Sequence, residues 1–431
     1  MVKRLTLMFG LLFTSVIIVR AQTITSSVNQ NRVESRIIAL SQFGKDSIGR
    51  GYRVAYTNGD IAARNWYMNL MKKAGLDVRI DFAGNIIGTR KGKNPSLKPI
   101  AFGSHLDMVP DGGNYDGCVG SIGAMEVIEV LNENRLITNH PLEVIIFSNE
   151  EGGTIGSMAM AGHISTSGLQ QLSQIGISMA EGIKRLGGNV DSISYAVRKK
   201  GDLVSFLELH IEQGGILEKE KIQIGVVEGI VGIVHWDISI EGFANHAGTT
   251  PMGMRKDALL AASRLVIAVN EVVNSVPGNQ VGTIGKIEAA PGAFNVVPGK
   301  VTMGLELRDL SAQKIEQLFI AIEKRAAEIA AASGTTIRFA RKANEVKPAL
   351  TDKAVQARIE TAAKTLGFSF KKMQSGAGHD AQEMSTIAPV GMIFIPSVNG
   401  ISHSPKEFST PVDMANGVKV LLQVILALDK E

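Results

Sequence analysis

The sequence places acidic and histidine side chains at the ends of apolar segments, where they could bind a cation. The Gly-Ser-His-Leu-Asp segment that ends at Asp107 follows a strand-like apolar run. Residues two apart in an extended chain point to the same side, so His105 and Asp107 would project together. Open α/β sheets place their sites at the carboxyl ends of strands. His105 is therefore a candidate metal ligand, and Asp107 a carboxylate that could orient the imidazole.

A second candidate ligand is Asp116, which stands between glycines just before a predicted helix. Glycines allow the backbone to approach a bound group closely. The two oxygens of a carboxylate can bridge two metal ions. The alternative interpretation of Asp116 is a helix N-cap, a position that aspartate fills well.

The adjacent acids Glu150 and Glu151 follow an apolar strand predicted over 142–147 and precede two glycines. Neighbouring carboxylates repel each other unless a cation lies between them. One of them can bind metal while the other takes a proton from metal-bound water. The alternative is a solvated acidic loop.

Two more histidines complete the set of candidate ligands. His210 lies in a Leu-His-Ile-Glu-Gln run that alternates apolar and polar residues, and His403 lies in a polar loop after a second buried strand predicted over 390–395. Three histidines and two carboxylates offer nitrogen and oxygen ligands that suit Zn, Mn, Co or Ni. With Asp116 bridging, each of two ions would receive two further ligands, and a bound water would become nucleophilic near neutral pH.

Composition narrows the kinds of site and partner. The 431 residues carry a formal net charge of +4 and a single cysteine, Cys118. One cysteine excludes a disulfide within the chain and a zinc site made of cysteines alone. Lys and Arg are scattered along the chain, so nothing in the sequence predicts nucleic-acid binding.

The amino terminus has the pattern of a secretory signal peptide over residues 1–21. Lys3 and Arg4 precede an apolar run, and the small residue Ala21 follows it. The run is shorter than the ~18 apolar residues that span a bilayer. We therefore predict export to the periplasm or the medium, without stable membrane insertion after cleavage. The alternative is an uncleaved membrane anchor.

Strand-like and helix-like segments alternate along the rest of the chain, which predicts the α/β fold class with a mixed sheet. A helical stretch is predicted to begin at Ile37. A β-α-β-β-α-β order between residues 235 and 340 predicts an inserted α+β domain. The predicted domains are a catalytic domain in two parts, 22–226 and 344–431, and an insert at 227–343.

The chemical motifs, taken in order, resemble those of the M20 metallopeptidase-like amidohydrolases. They are His-x-Asp at 105–107, Gly-Gly-x-Tyr-Asp-Gly at 112–117, Glu-Glu-Gly at 150–152, His-Ile-Glu-Gln-Gly at 210–214, His-Ala-Gly-Thr-Thr-Pro-Met at 246–252 and His-Ser-Pro-x-Glu at 403–407. More narrowly, the chain is similar to the branch that contains N-carbamoyl-L-amino acid hydrolases, allantoate amidohydrolases and ureidoglycolate amidohydrolases. The resemblance implies a two-domain fold, in which the insert is a lid and dimerisation domain on a metallopeptidase-like catalytic domain. It also implies hydrolysis of a linear carbamoyl or ureido amide, with release of ammonia and carbon dioxide.

The resemblance further implies a role for each matched residue. Glu150 would be the general base, Asp107 would orient His105, and His246 would stabilise the oxyanion, often from a neighbouring subunit. Two divalent ions, Zn or Mn with Co or Ni as alternatives, would be held by His105, Asp116, Glu151, His210 and His403. The contacts to a small anionic substrate would come from Gln213, His246, Asn295, Arg308, Gly376 and Ala377. A homodimer formed through the insert is also implied.

Two other functions fit the same scaffold. One is an exported M20-type aminoacylase or dipeptidase, against which the 210–214 motif argues. The other is a non-catalytic periplasmic binding protein, against which the intact Glu150 argues. The chain also reads Thr154-Ile155 where many members of the branch carry an arginine followed by an aromatic residue, which leaves the identity of the substrate open.

Overall fold

The computed structural model describes residues 27–343 and 345–431, and the signal peptide predicted over 1–21 lies outside them. The α-helices are α1 (Gln30–Leu40), α2 (Asn58–Lys73), α3 (Cys118–Glu133), α4 (Ile155–Ala161), α5 (Thr166–Gln170), α6 (Met179–Arg185), α7 (Ile216–Glu220), α8 (Ala258–Ser275), α9 (Ala312–Ser333), α10 (Lys353–Thr365), α11 (Asp380–Met384) and α12 (Pro411–Leu428). The strands are β1 (Asp77–Ile80), β2 (Ile86–Arg90), β3 (Ile100–His105), β4 (Leu142–Phe147), β5 (Ser205–Ile211), β6 (Ile224–Ile230), β7 (Gly232–Glu241), β8 (Asn245–His246), β9 (Val281–Ala290), β10 (Val296–Val297), β11 (Lys300–Asp309), β12 (Thr336–Arg341), β13 (Ala349–Leu350), β14 (Phe370–Ser375) and β15 (Val390–Ile395).

A nine-stranded mixed sheet, called the large sheet below, runs in the order β1-β2-β4-β3-β5-β15-β6-β13, with β14 pairing β6. The four central strands β4, β3, β5 and β15 are parallel to one another and buried along their whole length. Strands buried on both faces are apolar throughout, which is why the runs at 142–147 and 390–395 could be predicted as strands. Because these strands are parallel, their carboxyl ends meet at one edge of the sheet.

Helices cover both faces of the large sheet. One face packs against α1, α2, α3, α10 and α12 through the largest apolar core, and the other packs against α4, α7 and α11. Helices α8 and α12 have the length and apolar composition of a membrane span, yet both contribute residues to the hydrophobic cores of the structure. The predicted α/β class with a mixed sheet is confirmed.

An antiparallel sheet of four strands, the small sheet, runs in the order β12-β7-β11-β9. In β7 every second residue is buried, and Val234, Trp236, Ile238 and Ile240 point to a core shared with α8 and α9. This alternation is typical of a sheet with one covered face. The chain order β7-α8-β9-β11-α9-β12 is the predicted β-α-β-β-α-β arrangement. We call residues 232–341 the insert.

The chain changes from the large sheet to the small sheet at Val231, between the end of β6 and the start of β7. It returns through residues 346–350, which lie beside the outgoing segment: Ile233 and Val346 exchange two backbone hydrogen bonds, and Ala349 pairs with Ile230. The domain boundaries at 227 and 343 stay predictions.

One predicted helix start was wrong. The helical stretch predicted to begin at Ile37 begins at Gln30 and ends at Leu40. The Asn29 side chain accepts a hydrogen bond from the Arg32 backbone N–H and so caps the helix, as asparagine does well. Val33, Ile37 and Leu40 then lie on one buried face, and the apolar residues that suggested a beginning belong to the last turns.

Candidate metal centre

The five predicted metal ligands come from five separate elements that meet at the carboxyl edge of the large sheet. His105 ends β3 and His210 lies near the end of β5. Asp116 precedes α3, Glu151 follows β4, and His403 lies in the loop after β15. The N-cap of α3 is Gly117, so Asp116 does not cap that helix.

Asp116 stands at the centre of the cluster and directs one carboxylate oxygen to each side. Its Oδ1 lies 3.1 Å from His210 Nε2 and 3.6 Å from His105 Nε2, while its Oδ2 lies 3.3 Å from His403 Nε2. Glu151 Oε2 is 3.5 Å from the same His403 nitrogen. Two groups of donors therefore share Asp116: His105 with His210, and Glu151 with His403.

These donors fit two divalent ions. Two ligands that each lie about 2.1 Å from one tetrahedral ion are about 3.4 Å apart, close to the separations around Asp116. Within the described part of the chain, the buried Glu151 Oε1 has no hydrogen-bond partner, as expected of a carboxylate oxygen reserved for a cation. Nitrogen and carboxylate donors without thiolates suit Zn or Mn.

The backbone fixes which nitrogen each buried histidine offers. His105 Nδ1 lies 3.0 Å from the Asp107 carbonyl oxygen, and His210 Nδ1 lies 2.9 Å from the Ile211 carbonyl oxygen. A carbonyl can only accept, so both Nδ1 atoms donate and each Nε2 is left as an acceptor beside Asp116. This is the usual way in which an outer partner orients a metal-binding imidazole. His210 Nε2 also accepts from the Gly117 backbone N–H at 3.1 Å.

Asp107 serves the cluster in two ways. Its carbonyl holds His105, while its carboxylate lies 3.8 Å from the ring and accepts hydrogen bonds from the backbone N–H groups of Glu150 and Glu151 at 3.4 and 3.1 Å. The carboxylate therefore fixes the acidic loop, and the backbone of the same residue orients the imidazole.

The buried acids and histidines of the cluster shift one another's pKa values and, against the effect of burial, the neighbouring histidines hold the pKa of Asp116 well below its usual range. Burial, together with the charges of Asp380, Glu151 and Asp107, raises the pKa of Glu150 well above its usual range, although His105 opposes the shift. Burial and the charge of Asp116 raise the pKa of Glu151 to about 7. The hydrogen bond with Asp116 raises the pKa of His403 to about 9. Cations bound between these groups would relieve the repulsion among the acids.

A second group of buried residues lies behind His210 and is already satisfied by hydrogen bonds. Glu208 accepts from Ser104 Oγ at 2.7 Å and from the Ala381 backbone N–H at 3.0 Å. His379 Nε2 pairs with Ser375 Oγ at 2.8 Å, and its ring packs edge-on against His210 at 4.5 Å between ring centroids. We interpret this group as support for His210.

A cleft of about 780 Å³ opens in front of the cluster, between the large sheet and the insert. Glu150 lines the cleft, with its Oε2 3.7 Å from His105 Nε2. Gln213 also lines it and donates from Nε2 to Asp116 Oδ2 at 2.5 Å; its buried Oε1 has no partner among residues 27–343 and 345–431.

Arg308 reaches the cleft from the insert. Its guanidinium binds Glu306 through two hydrogen bonds of 2.7 and 3.0 Å, and it donates to the Gly376 carbonyl oxygen across the cleft at 2.7 Å. Ala377 lines the cleft beside it. The predicted contacts Gln213, Arg308, Gly376 and Ala377 are thus brought together near the metal ligands.

His246 and Asn295 are not brought to the cluster. His246 lies on β8, which forms a two-stranded ribbon with β10, and Asn295 immediately precedes β10; both residues are exposed. His246 Nδ1 accepts from the backbone N–H groups of Gly248 and Thr249, so the proton of a neutral ring lies on Nε2. The neighbouring Phe294 is fully exposed.

Glu407 was missed as a site residue. Its Oε1 accepts from the backbone N–H groups of Tyr115 and Asp116, and its Oε2 accepts from Ser402 Oγ and the His403 backbone N–H. One carboxylate therefore joins the loops that carry two of the ligands. The signal was present in the sequence, because Glu407 closes the His-Ser-Pro-x-Glu motif, but its partners Tyr115 and Asp116 lie 292 and 291 residues away.

Comparison with known proteins agrees with this geometry. The sequence pattern described as Peptidase family M20/M25/M40 matches residues 101–427. An N-carbamoyl-L-amino acid amidohydrolase of Geobacillus stearothermophilus is 39% identical over 406 residues, covering 93% of this chain and 99% of that protein. A ureidoglycolate hydrolase of Arabidopsis thaliana is 39% identical over 408 residues, covering 92% and 86%. The crystal structure of a hydantoinase/carbamoylase family amidase from Burkholderia multivorans superposes with a TM-score of 0.87 at 34% identity, covering 94% of this chain and 99% of that one.

Proposed function

We infer that this chain, which belongs to the peptidase M20/M25/M40 family, is an amidohydrolase that cleaves the linear amide C–N bond of a carbamoyl or ureido acid. The proposed substrates are N-carbamoyl-L-amino acids, allantoate or ureidoglycolate, with ammonia and carbon dioxide among the products. The observation that carries the proposal is the Asp116 carboxylate, shared between two groups of metal-binding donors with Glu150 beside them.

Two divalent ions, Zn or Mn, would be held by His105, Asp116 and His210 on one side and by Asp116, Glu151 and His403 on the other. When bound, such ions lower the pKa of water and polarise the carbonyl that is attacked. The remaining tasks fall to side chains of the cleft.

Glu150 is proposed as the proton carrier. It takes a proton at Oε2 from the attacking water and passes it to the leaving nitrogen of the carbamoyl group. A buried carboxylate with a raised pKa suits both halves of this task, because it takes up a proton more readily than an ordinary carboxylate and can still return it.

Gln213 and Arg308 are proposed to orient the substrate. The amide nitrogen of Gln213 already donates to Asp116. The amide oxygen of Gln213 is free to accept a hydrogen bond from the ureido nitrogen. Arg308 would bind the substrate carboxylate with the guanidinium edge that Glu306 leaves open, since a planar fork matches a carboxylate. The neighbouring backbone of Gly376 and Ala377 would complete this contact.

We also propose that His246 and Asn295 act in the cleft of a second copy, in a homodimer formed through the insert. Both residues are exposed on a ribbon away from their own cleft. Strand β9 is an edge of the small sheet and exposes Val281 and Ile287, and α8 exposes Ile267. An open strand edge beside exposed apolar side chains is suited to pairing with another chain. His246 would then donate from Nε2 to the developing oxyanion.

The function is tested with purified protein, stripped by a chelator and reloaded with Zn or Mn. Ammonia release would be followed with N-carbamoyl-L-amino acids, allantoate and ureidoglycolate, and amino-acid release with dipeptides. We expect metal-dependent ammonia release from at least one ureido substrate. The Glu150→Gln variant should retain its metal and lose turnover by about 10³-fold or more, since it cannot carry the proton.

Several results would count against the proposal. Cleavage of dipeptides alone would indicate the peptidase alternative. A binding protein would be favoured by two results together: none of these compounds is turned over at any metal loading, and the Glu150→Gln variant binds them as the wild type does. Export is proposed from the pattern of residues 1–21 and is tested by the amino-terminal sequence of the protein recovered from the periplasm or the medium.

A further inference from the structure

The connection between the large sheet and the insert consists of two chain segments that lie side by side. The outgoing segment, 230–233, and the returning segment, 346–350, exchange hydrogen bonds between Ile233 and Val346, and pair again at Ile230 and Ala349. A Cβ atom at Gly232 would lie 2.6 Å from Pro348, so the two segments are in close contact. Any change in the orientation of the insert must act on this pair of segments.

The side chain of Gln382 binds both segments at once. Its Nε2 donates to the Lys347 carbonyl oxygen at 2.7 Å and to the Val231 carbonyl oxygen at 3.2 Å. The side chain is well buried, with 7% of its surface exposed, and it also lines the cleft. One amide group therefore uses both of its protons, one on each connecting segment.

Gln382 belongs to α11, which follows the loop 376–379 beside the metal ligands. The Gln382 backbone N–H donates to the His379 carbonyl oxygen at 3.0 Å, and the Val231 backbone N–H donates to the Ser375 carbonyl oxygen at 3.1 Å. Ser375 Oγ pairs with His379, whose ring packs against His210. A continuous set of contacts thus runs from the connecting segments to a metal ligand.

The insert contacts the same loop from the opposite side of the cleft. Arg308 donates to the Gly376 carbonyl oxygen, so the loop 376–379 is held by the insert at one end and by α11 at the other. A rotation of the insert about the connecting segments would move both attachments of this loop.

We propose that Gln382 is a positioning residue that couples the orientation of the insert to the loop 376–379, so that closure of the cleft and assembly of the substrate site occur together. The kinetic part of this inference rests on the proposed function, but the structural part does not. Replacing the amide by an apolar group of similar size would leave two buried carbonyls without donors and release the insert. Misplacement of a positioning loop by about 1 Å can cost about 100-fold in rate.

The chain offers a matched control in Gln356. It is also a buried glutamine whose Nε2 donates to backbone carbonyls, those of Thr351 and Glu228. It lies on α10, and none of its side-chain hydrogen bonds goes to the described segment 230–233 or the loop 376–379. Gln356→Leu should therefore disturb packing to a similar extent without affecting the coupling.

The orientation of the insert can be measured directly with spin labels. Cys118 is the single cysteine of the chain and is buried, so labels at Lys73→Cys in α2 and Lys324→Cys in α9 would report the distance between the two parts. We expect one narrow distance distribution for the parent protein and for Gln356→Leu, and a broader or displaced one for Gln382→Leu. With a turned-over substrate, Gln382→Leu should lower kcat/KM by about 10- to 100-fold at unchanged metal content.

Equal distance distributions for Gln382→Leu and Gln356→Leu would overturn the inference, whatever the activity. If no ureido compound is turned over, the proposed function fails while the distance measurement still decides the role of Gln382. If Gln382→Leu does not fold, Gln382→Asn serves the same comparison, because it keeps the amide but withdraws it from the two carbonyls by one methylene. A distribution for Gln382→Asn as narrow as that of the parent would then contradict the proposal.

Discussion

The large-sheet region and the insert present their predicted functional residues in different ways. In the large-sheet region, five elements bring His105, Asp116, Glu151, His210 and His403 to one place within a single chain. In the insert, Arg308 lines the same cleft, whereas His246 and Asn295 are exposed and are not among the residues that line it. All five candidate metal ligands therefore come together within one chain, whereas two of the predicted substrate contacts, His246 and Asn295, do not line its cleft.

The ionisable groups show the same contrast. Burial raises the pKa of Glu150 and Glu151 in the metal centre, where several acids are close together. Burial would also raise the pKa of Glu306 in the insert, but hydrogen bonds and charge from Arg308 and His235 lower it overall. In the first region several buried acids lie close together, whereas Glu306 of the insert is already paired with Arg308 and His235. The predictions below test this difference, beginning with the largest effect.

Removal of the shared carboxylate should abolish the metal centre. In Asp116→Ala both groups of donors lose their common ligand, so we expect turnover below detection and a metal content below that of the wild type. Metal analysis by mass spectrometry after gel filtration, with ammonia release on the same sample, measures both. The exposed Asp77→Ala on β1 is the control and should behave as the wild type. Full metal loading of Asp116→Ala would contradict the assignment of this centre.

Activity of mixed dimers tests whether His246 acts in a second copy. His246→Ala and Glu150→Gln should each lose activity, the former by about 10²- to 10³-fold if it removes an oxyanion donor. A mixed dimer would contain one intact site, made of Glu150 from one chain and His246 from the other. Random mixing makes about half of the dimers mixed, so about a quarter of the wild-type activity should return.

The mixing experiment has a clear negative outcome. If His246 acts in its own chain, neither site of a mixed dimer is intact, and the activity stays at the level of the separate variants. The contrast between a self-contained metal centre and an incomplete insert would then be wrong for this residue. Light scattering of each variant before mixing shows whether dimers are present.

A smaller effect is expected at Glu306, which holds Arg308 through two hydrogen bonds. Glu306→Gln would leave the guanidinium less well oriented for the substrate carboxylate, so KM should rise about tenfold, equivalent to about 1.4 kcal/mol of binding. The value of kcat should change little, since the metal centre is untouched. Steady-state kinetics measure both, and Glu288→Gln, an exposed residue on β9, is the control. A fall in kcat at constant KM would show that Glu306 acts elsewhere.

The sequence could predict most of the metal centre because its signals are local. The apolar runs at 142–147 and 390–395 have the composition of strands buried on both faces, and each ligand follows such a run or lies among glycines. Strands β6 and β14 were missed for the opposite reason. Strand β6 contains two glycines, and β14, which pairs only with β6 among the described strands, reads Phe-Lys-Lys-Met-Gln-Ser. These segments are strands because they pair with neighbouring strands of the same sheet, and their own residues do not predict that pairing.

Contacts between distant residues could not be predicted from spacing. Glu407 binds the backbone beside Asp116 across 291 residues, and Gln382 binds the Val231 carbonyl oxygen across 151. Glu407 closes the His-Ser-Pro-x-Glu motif, but the motif does not give its partners, and nothing local distinguishes Gln382 from an ordinary surface amide. The motif at 246–252 gives the type of residue that the reaction needs, and the resemblance implied that His246 often acts from a neighbouring subunit, but residue spacing alone did not predict that His246 is exposed.

The smallest effect on activity is expected at Asp60, a buried acid of the large-sheet region outside the metal centre. Its Oδ2 accepts from the Tyr56 backbone N–H at 2.8 Å, and its Oδ1 has no partner in the described part of the chain. Burial raises its pKa from 3.8 to about 6, against the opposing charge of Arg64. The difference corresponds to about 3 kcal/mol between the two protonation states.

The sign of the pH dependence follows from this raised pKa. Below pH 3.8 Asp60 is protonated in both the folded and the unfolded chain, and ionisation costs the fold nothing. As the pH rises towards 6 the unfolded chain loses the proton first, so this residue's contribution to the free energy of unfolding falls and stays low above pH 6. Asp60→Asn keeps the hydrogen bond from Tyr56 and cannot ionise, so relative to the wild type it should gain about 2.5 kcal/mol between pH 4 and pH 7.5.

Urea unfolding in the presence of a chelator, at several values between pH 4 and pH 7.5, measures this gain without a contribution from bound metal. Asp77→Asn, an exposed acid of the same region, should show no such trend. The series would be repeated with Zn. The ion should relieve the repulsion at Glu151 but not the cost of burying the charge of Asp60. The higher free energy of unfolding of Asp60→Asn should therefore persist. A stability difference that does not vary with pH would mean that Asp60 ionises as freely in the folded chain as in the unfolded one. In that case the contrast in pKa between the buried acids of the large-sheet region and the paired Glu306 of the insert would be limited to the acids of the metal centre.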